Sequence, residues 1–155
     1  MIGQHQLQLG DLLVTRNEHE EDNSSPGYWN HVAIYVGGVW IVEAQIEPDA
    51  VITSKWKEFY ARYPRIRLLR LKGVAEARRM SISENARKLV GSKYWRLASL
   101  TRFFRRRRSR GENCVSTVRR AYKKGLGWDF GWRIPDDVAN DSHFFLVAEK
   151  EPTWD

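Results

Sequence analysis

The chain has 155 residues, 42% of them hydrophobic and 12% aromatic, with seven Trp and a formal net charge of +7. That length and composition fit one globular domain over residues 1–155 and exclude a disordered tail. No run reaches the roughly 18 apolar residues that cross a bilayer, and a single cysteine excludes an internal disulfide.

The N-terminus, MIGQHQLQLGD, has neither a basic n-region nor an apolar h-region. No secretory signal is therefore expected, and the cytoplasm is the default compartment. LGDLLVT (9–15) reads as a short strand after a Gly-Asp turn. The acidic, aperiodic run 17–27 is expected as a surface loop. HVAIYV and VWIVEA read as two strands joined at Gly37-Gly38, a hairpin signal. VIT (51–53) is a further strand, and SKWKEFYARYP a helix with Ser54 as cap and Pro64 as stop. RIRLLRLK (65–72) is the next strand. Ser81 and Glu84 match a capping box for a helix ending near Gly91. Residues 92–112 read as irregular, apart from a turn of helix through Leu97–Phe104. From Cys114 to Lys124 a helix carries Val115, Val118 and Tyr122 on one face and closes with Lys123, Lys124 and Gly125. IPDDVAN starts a last helical turn with Asp136 or Asp137 as cap, and HFFLVAE (143–149) is the last strand. This order predicts an α+β domain whose mainly antiparallel sheet packs against helices.

Chemistry concentrates in three residues. With Asn113 as N-cap, the Cys114 thiol stands in the first turn of its helix, where unpaired N–H groups and the helix dipole favour a thiolate. Its spacing to Val118 and Ala121 turns it inward, towards a sheet. A lone cysteine is more often a small buried hydrophobe, so the partners decide. His31 opens an apolar strand and is the best base present, since His5, His19 and His143 have no comparable setting. Glu43 lies inside VWIVEAQ, where an unpaired carboxylate is costly. Register governs whether the two meet. A two-residue hairpin loop pairs 36 with 39 and puts His31 and Glu43 on opposite faces; a three-residue loop with a bulge pairs 36 with 40 and puts them on one face. In the first case Glu43 is an exposed acid and Gln45 is the fallback. Cys, His and Glu together make a thiol hydrolase.

The segment TRFFRRRRSR (101–110) holds six arginines. The commonest reading of such a run is a solvated loop. The functional reading is an anion-attracting rim, with Arg105 and Arg106 as substrate-binding candidates and Phe103 and Phe104 beside them. Such a rim suits an acidic substrate, lipid headgroups or phosphates. No nucleic-acid-binding fold is recognisable, so no specific nucleic acid is expected as partner. There is no paired His or Cys at ligand spacing, no HExxH and no Gly-rich phosphate loop, so neither a metal nor another cofactor is expected.

Five segments in order, LGDLLVTR, NHVAIYVGGVWIVEA, GSKYW, NCVSTVRRAY and IPDDVAN, resemble the permuted branch of the NlpC-type papain-like cysteine hydrolases, the YaeF/YiiX-like group. In that branch the His strand precedes the Cys helix, the reverse of the ordinary papain-like order. The resemblance runs from about Leu9 to about Val147. It implies a papain-like core, an antiparallel sheet packed against the nucleophile's helix. It further implies Cys114 as nucleophile, His31 as general base and Glu43 as the orienting residue. Tyr94 of GSKYW would line the site near the oxyanion, with the backbone N–H of Cys114 as the other donor. The substrates implied are peptide, cell-wall (peptidoglycan) or lipid-like amides and esters. Two features depart from the family: Cys-Ser-Glu-Leu is frequent after the nucleophile, where this chain has Cys114-Val115-Ser116-Thr117, and the arginine run is unusually basic. A reading from another class is a non-catalytic module that binds an anionic surface (lipid, cell wall or nucleic acid) through Arg102–Arg110.

Overall fold

The apolar strands of the sequence assemble side by side into one antiparallel sheet. The computed structural model describes residues 1–17, 27–45, 49–92 and 109–153, with 109–113 as backbone alone. Among these, β1 (Leu12–Arg16), β2 (His31–Gly37), β3 (Trp40–Gln45), β4 (Ala50–Lys55), β5 (Arg65–Leu71) and β6 (Phe144–Lys150) lie in the order β4-β3-β2-β1-β5-β6. Every pairing is antiparallel. The helices are α1 (Trp56–Arg62), α2 (Glu76–Lys88), α3 (Ser109–Leu126) and α4 (Pro135–Ala139). This is the α+β arrangement expected, consistent with a permuted papain-like fold. No helix among the described residues is long and apolar enough to cross a membrane.

The central strands are apolar without a break because both faces of the sheet are covered. Successive side chains of β2 alternate between two cores. Val32, Ile34 and Val36 pack with Ile82 and Ala86 of α2 and with Cys114, Val115, Val118 and Ala121 of α3. Ala33 and Tyr35 pack on the other side with Leu13, Ile41, Phe59 and Tyr63.

Several boundaries differ from the sequence expectation, each for a local reason. The helix α2 starts at Glu76, so Ser81 and Glu84 lie within it and form no capping box. Glu76-Ala77-Arg78-Arg79-Met80 are good helix formers and extend the helix backwards. Ser83, facing the sheet, donates to the Val36 carbonyl at 3.0 Å. At α1 the N-cap position belongs to Lys55, while Ser54 stays in β4. The helix α3 begins at Ser109, in a stretch read as irregular, and Asn113 lies inside it. Residues 109–113 are Ser, Arg, Gly, Glu and Asn, which offer no apolar periodicity to follow.

At its other end α3 runs on to Leu126. The C-terminal glycine is Gly127, at φ 76°, whose N–H bonds the Lys123 carbonyl at 2.8 Å. Gly125, the expected stop, instead allows α3 to approach α2: a Cβ there would lie 2.7 Å from the Ile82 Cα. Gly125→Ala is therefore expected to destabilise the protein by about 1–3 kcal/mol through overpacking. Urea denaturation checks this; a stabilised variant, as helix propensity alone would give, would show that the two helices are free to separate.

Candidate active site

The β2–β3 register settles whether His31 and Glu43 meet. Ile34 pairs with Val42 and Tyr35 with Ile41, but Gly37 pairs with Trp40, so β2 carries an extra residue at a bulge. Gly37 and Gly38 hold φ of 103° and 60°, which glycine adopts without strain. This is the bulged register, and it turns His31 and Glu43 to one face. His31 Nε2 lies 2.9 Å from Glu43 Oε2. Gln45, the fallback, instead points its amide at the Tyr63 hydroxyl, 3.4 Å away.

The Glu43 side chain is 0% exposed, so its charge needs partners. Its Oε1 accepts hydrogen bonds from Ser54 Oγ and from Arg62 Nη1, both at 2.6 Å. Burial pushes this carboxyl upward, but the hydrogen bond and charge of His31, the Ser54 hydroxyl and the Arg62 guanidinium outweigh it and bring the pKa down to about 2. The β3–β4 ladder explains the contact with Ser54. Ile41 pairs with Ser54 and Glu43 with Ile52, so Ser54 is the diagonal neighbour on the same face. Arg62 closes α1, and its guanidinium carbon stands 5.7 Å from the centre of the Tyr63 ring. Tyr63 in turn stacks on the His31 imidazole, with ring centres 5.5 Å apart and planes at 18°.

Cys114 is buried in α3 among the apolar residues of the helix-side core and hydrogen-bonds His31. Glu43 faces the opposite side of the sheet. His31, as the first residue of β2, stands at the sheet's end and touches both. Burial disfavours its imidazolium, but Tyr63, Cys114 and Glu43 favour it, and together they raise the His31 pKa well above 6.5. The helix-end argument for the thiol does not hold. Since α3 starts at Ser109, Cys114 lies beyond its first turn, where the dipole acts little.

The backbone ahead of His31 is anchored from α4. Asp136 accepts the N–H groups of Tyr28 at 3.0 Å and Trp29 at 2.7 Å. The N-cap position of α4 belongs to Ile134 and not to Asp136 or Asp137; Asp137, inside the first turn, reaches back to accept the N–H groups of Arg133 and Ile134. Tyr94, Arg105 and Arg106 lie outside the described residues, as does the arginine run as far as Arg108. Sequence reasoning missed Ser54, Arg62 and Tyr63 as parts of this cluster. The signal was the buried Glu43 itself, which requires donors on both oxygens. Among the described residues, no group of three His, Cys, Asp or Glu side chains is placed to hold a metal ion.

Because folding lowers the Glu43 pKa from 4.5 to about 2, its stabilisation is complete above the unfolded value and is lost as the pH falls towards the folded one. Wild type should exceed Glu43→Gln in stability by a margin that is greatest at about pH 5.5 and declines as the pH rises through the raised His31 pKa, because Glu43 helps hold that proton. Below that the margin should shrink by roughly 3 kcal/mol on approach to pH 2. Urea unfolding across that range measures it, and a margin independent of pH would contradict the ionised, clamped carboxylate.

Comparison with curated proteins and with solved structures gave no match. A family model does match, that of the permuted papain-like amidase enzymes of the YaeF/YiiX, C92 family, over residues 6–133. The matched region contains β1 to β5, α1 to α3, and with them His31, Glu43 and Cys114. Spanning most of the 155 residues, that match shows that the chain belongs to the permuted papain-like amidase family.

Proposed function

We propose that the chain hydrolyses an amide bond through an acyl-enzyme on Cys114, with His31 as general base and Glu43 holding the imidazole. The observation that carries this reading is His31 in contact with both Cys114 and Glu43. With Nε2 engaged by Glu43, Nδ1 is left for the thiol. His31 takes the proton from Sγ, and the thiolate attacks the carbonyl carbon to form a tetrahedral oxyanion. Collapse breaks the C–N bond as His31 returns the proton to the leaving amine. Water, deprotonated by His31, then attacks the thioester, releases the carboxylic acid and restores the thiol. Family likeness assigns Tyr94 to the oxyanion; Arg105 and Arg106, by the charge of their run and not by the family, would meet an anionic part of the substrate.

An amidase family favours amide over ester chemistry. Cell-wall peptides are the first substrates to test, followed by other peptide and isopeptide bonds and by lipid acyl groups. Cys114→Ala and His31→Ala should each lower kcat/KM on a cleaved substrate by about a thousandfold or more. A Cys114→Ala protein with full activity would end the proposal. Independently of substrate, iodoacetamide should alkylate Cys114 in the folded protein with a pH dependence that changes in His31→Ala. A thiol that reacts only after unfolding would mark a structural cysteine.

A further inference from the structure

Acyl transfer by Cys114 and His31 calls on one oxygen of Glu43, Oε2. The other, Oε1, is held just as firmly, by Ser54 Oγ from β4 and Arg62 Nη1 from the end of α1, each at 2.6 Å. We propose that Ser54 and Arg62 are positioning residues of the active site: Ser54 sets the rotation of the Glu43 carboxylate, and Arg62 shares its charge so that His31 holds its proton less tightly. This rests on the reading of His31 as the base.

Rotation of a carboxylate about its last bond is broad and two-fold, so an unrestrained Glu43 would present either oxygen to His31, at varying angles. Two donors on Oε1 leave Oε2 as the oxygen directed at Nε2, 2.9 Å away. Charge supplies the second part. A fully buried carboxylate opposed by His31 alone would bind the imidazolium proton strongly, and a base shuttles best when its pKa lies near the working pH. Arg62 divides the carboxylate's field between two cations. Its own side chain is 39% exposed, so its charge persists at little desolvation cost while the tip reaches Glu43. The placement is economical, because Tyr63, the next residue, stacks on His31 while Arg62 grips Glu43. Charged and titratable groups face this pair from several elements: Glu43 on β3, Arg62 and Tyr63 at the end of α1, and Cys114 on α3.

The test is the pH profile of Cys114 alkylation by iodoacetamide in the full chain, followed by intact mass. The variants are His31→Ala, Arg62→Gln, Arg62→Lys and Ser54→Ala. The inflection that disappears in His31→Ala belongs to the imidazole. In Arg62→Gln, which keeps a donor but loses the charge, this inflection should move up by about half a pH unit or more, roughly a threefold change in proton affinity. In Arg62→Lys it should stay near the wild-type value. Ser54→Ala keeps every charge, so the inflection should stay in place while the plateau rate falls by about threefold or more. A folded Arg62→Gln with an unmoved inflection overturns the charge-sharing role. If that variant does not fold, Ser54→Ala carries the test, and an unchanged plateau rate overturns the clamp. A wild-type profile indifferent to His31→Ala would instead remove His31 as base, a different failure from that of the clamp.

Discussion

A carboxylate with no solvent contact has to find its counter-charges inside the fold, and much of this site follows from the burial of Glu43. Left unpaired, such a group would neutralise or would cost several kcal/mol. Its partners come from β2, β4 and the end of α1, so the bulge in β2, the register of β4 and the length of α1 must all be right at once. Any of the three in error strands a buried charge. The constraint that organises the site is thus also one that specifies how these elements assemble.

A second buried carboxylate shows that burial alone does not produce a site. Asp11, just before β1, is fully buried and receives both Arg70 Nε and Nη2, at 2.9 and 2.7 Å, together with the Gln8 N–H. There desolvation outweighs Arg70, the Gln8 N–H and Arg79, and the pKa is raised, whereas Glu43 is lowered. The difference lies in the partners. Asp11 has no imidazole, and its cations, Arg70 at 2.7 Å and Arg79 at 3.9 Å, tie β5 and α2 to the turn ahead of β1. Glu43 shares its charge between a guanidinium and a ring that can exchange a proton, which is what the proposed chemistry asks of it.

His31 performs a task that a residue in the middle of the strand could not. Side chains within β2 belong to one core or the other, and Cys114 and Glu43 lie on different sides. At the sheet's end an imidazole can reach both. Because Cys114 lies beyond the first turn of α3, the proposed chemistry relies on this imidazole rather than on the helix end. Asp136 contributes from a distance by holding the backbone of Tyr28 and Trp29, so that β2 starts where His31 is needed.

Residue type and short-range period made much of this legible. The strands, the apolar face of α3, and Cys114, His31 and Glu43 as the residues worth bringing together all follow from local patterns, because periodicity and the rarity of a carboxylate in an apolar strand are local facts. Whether they meet was a different matter. One residue of slip in the β2–β3 pairing would send Glu43 to the other face, and the sequence allowed both registers. Ser54 looked like a helix cap because Ser before a helix usually is one; only its diagonal position across β4 makes it a donor to Glu43. The Ser81/Glu84 capping box and the Asn113 cap misled in the same way, since a motif of four residues carries no information about good helix formers or polar turns upstream of it. Residue chemistry and element order were thus decided along the chain. Register, helix starts and the sharing of one carboxylate among three elements were decided in space, because they depend on contacts between residues far apart in sequence, whose energies no local window contains.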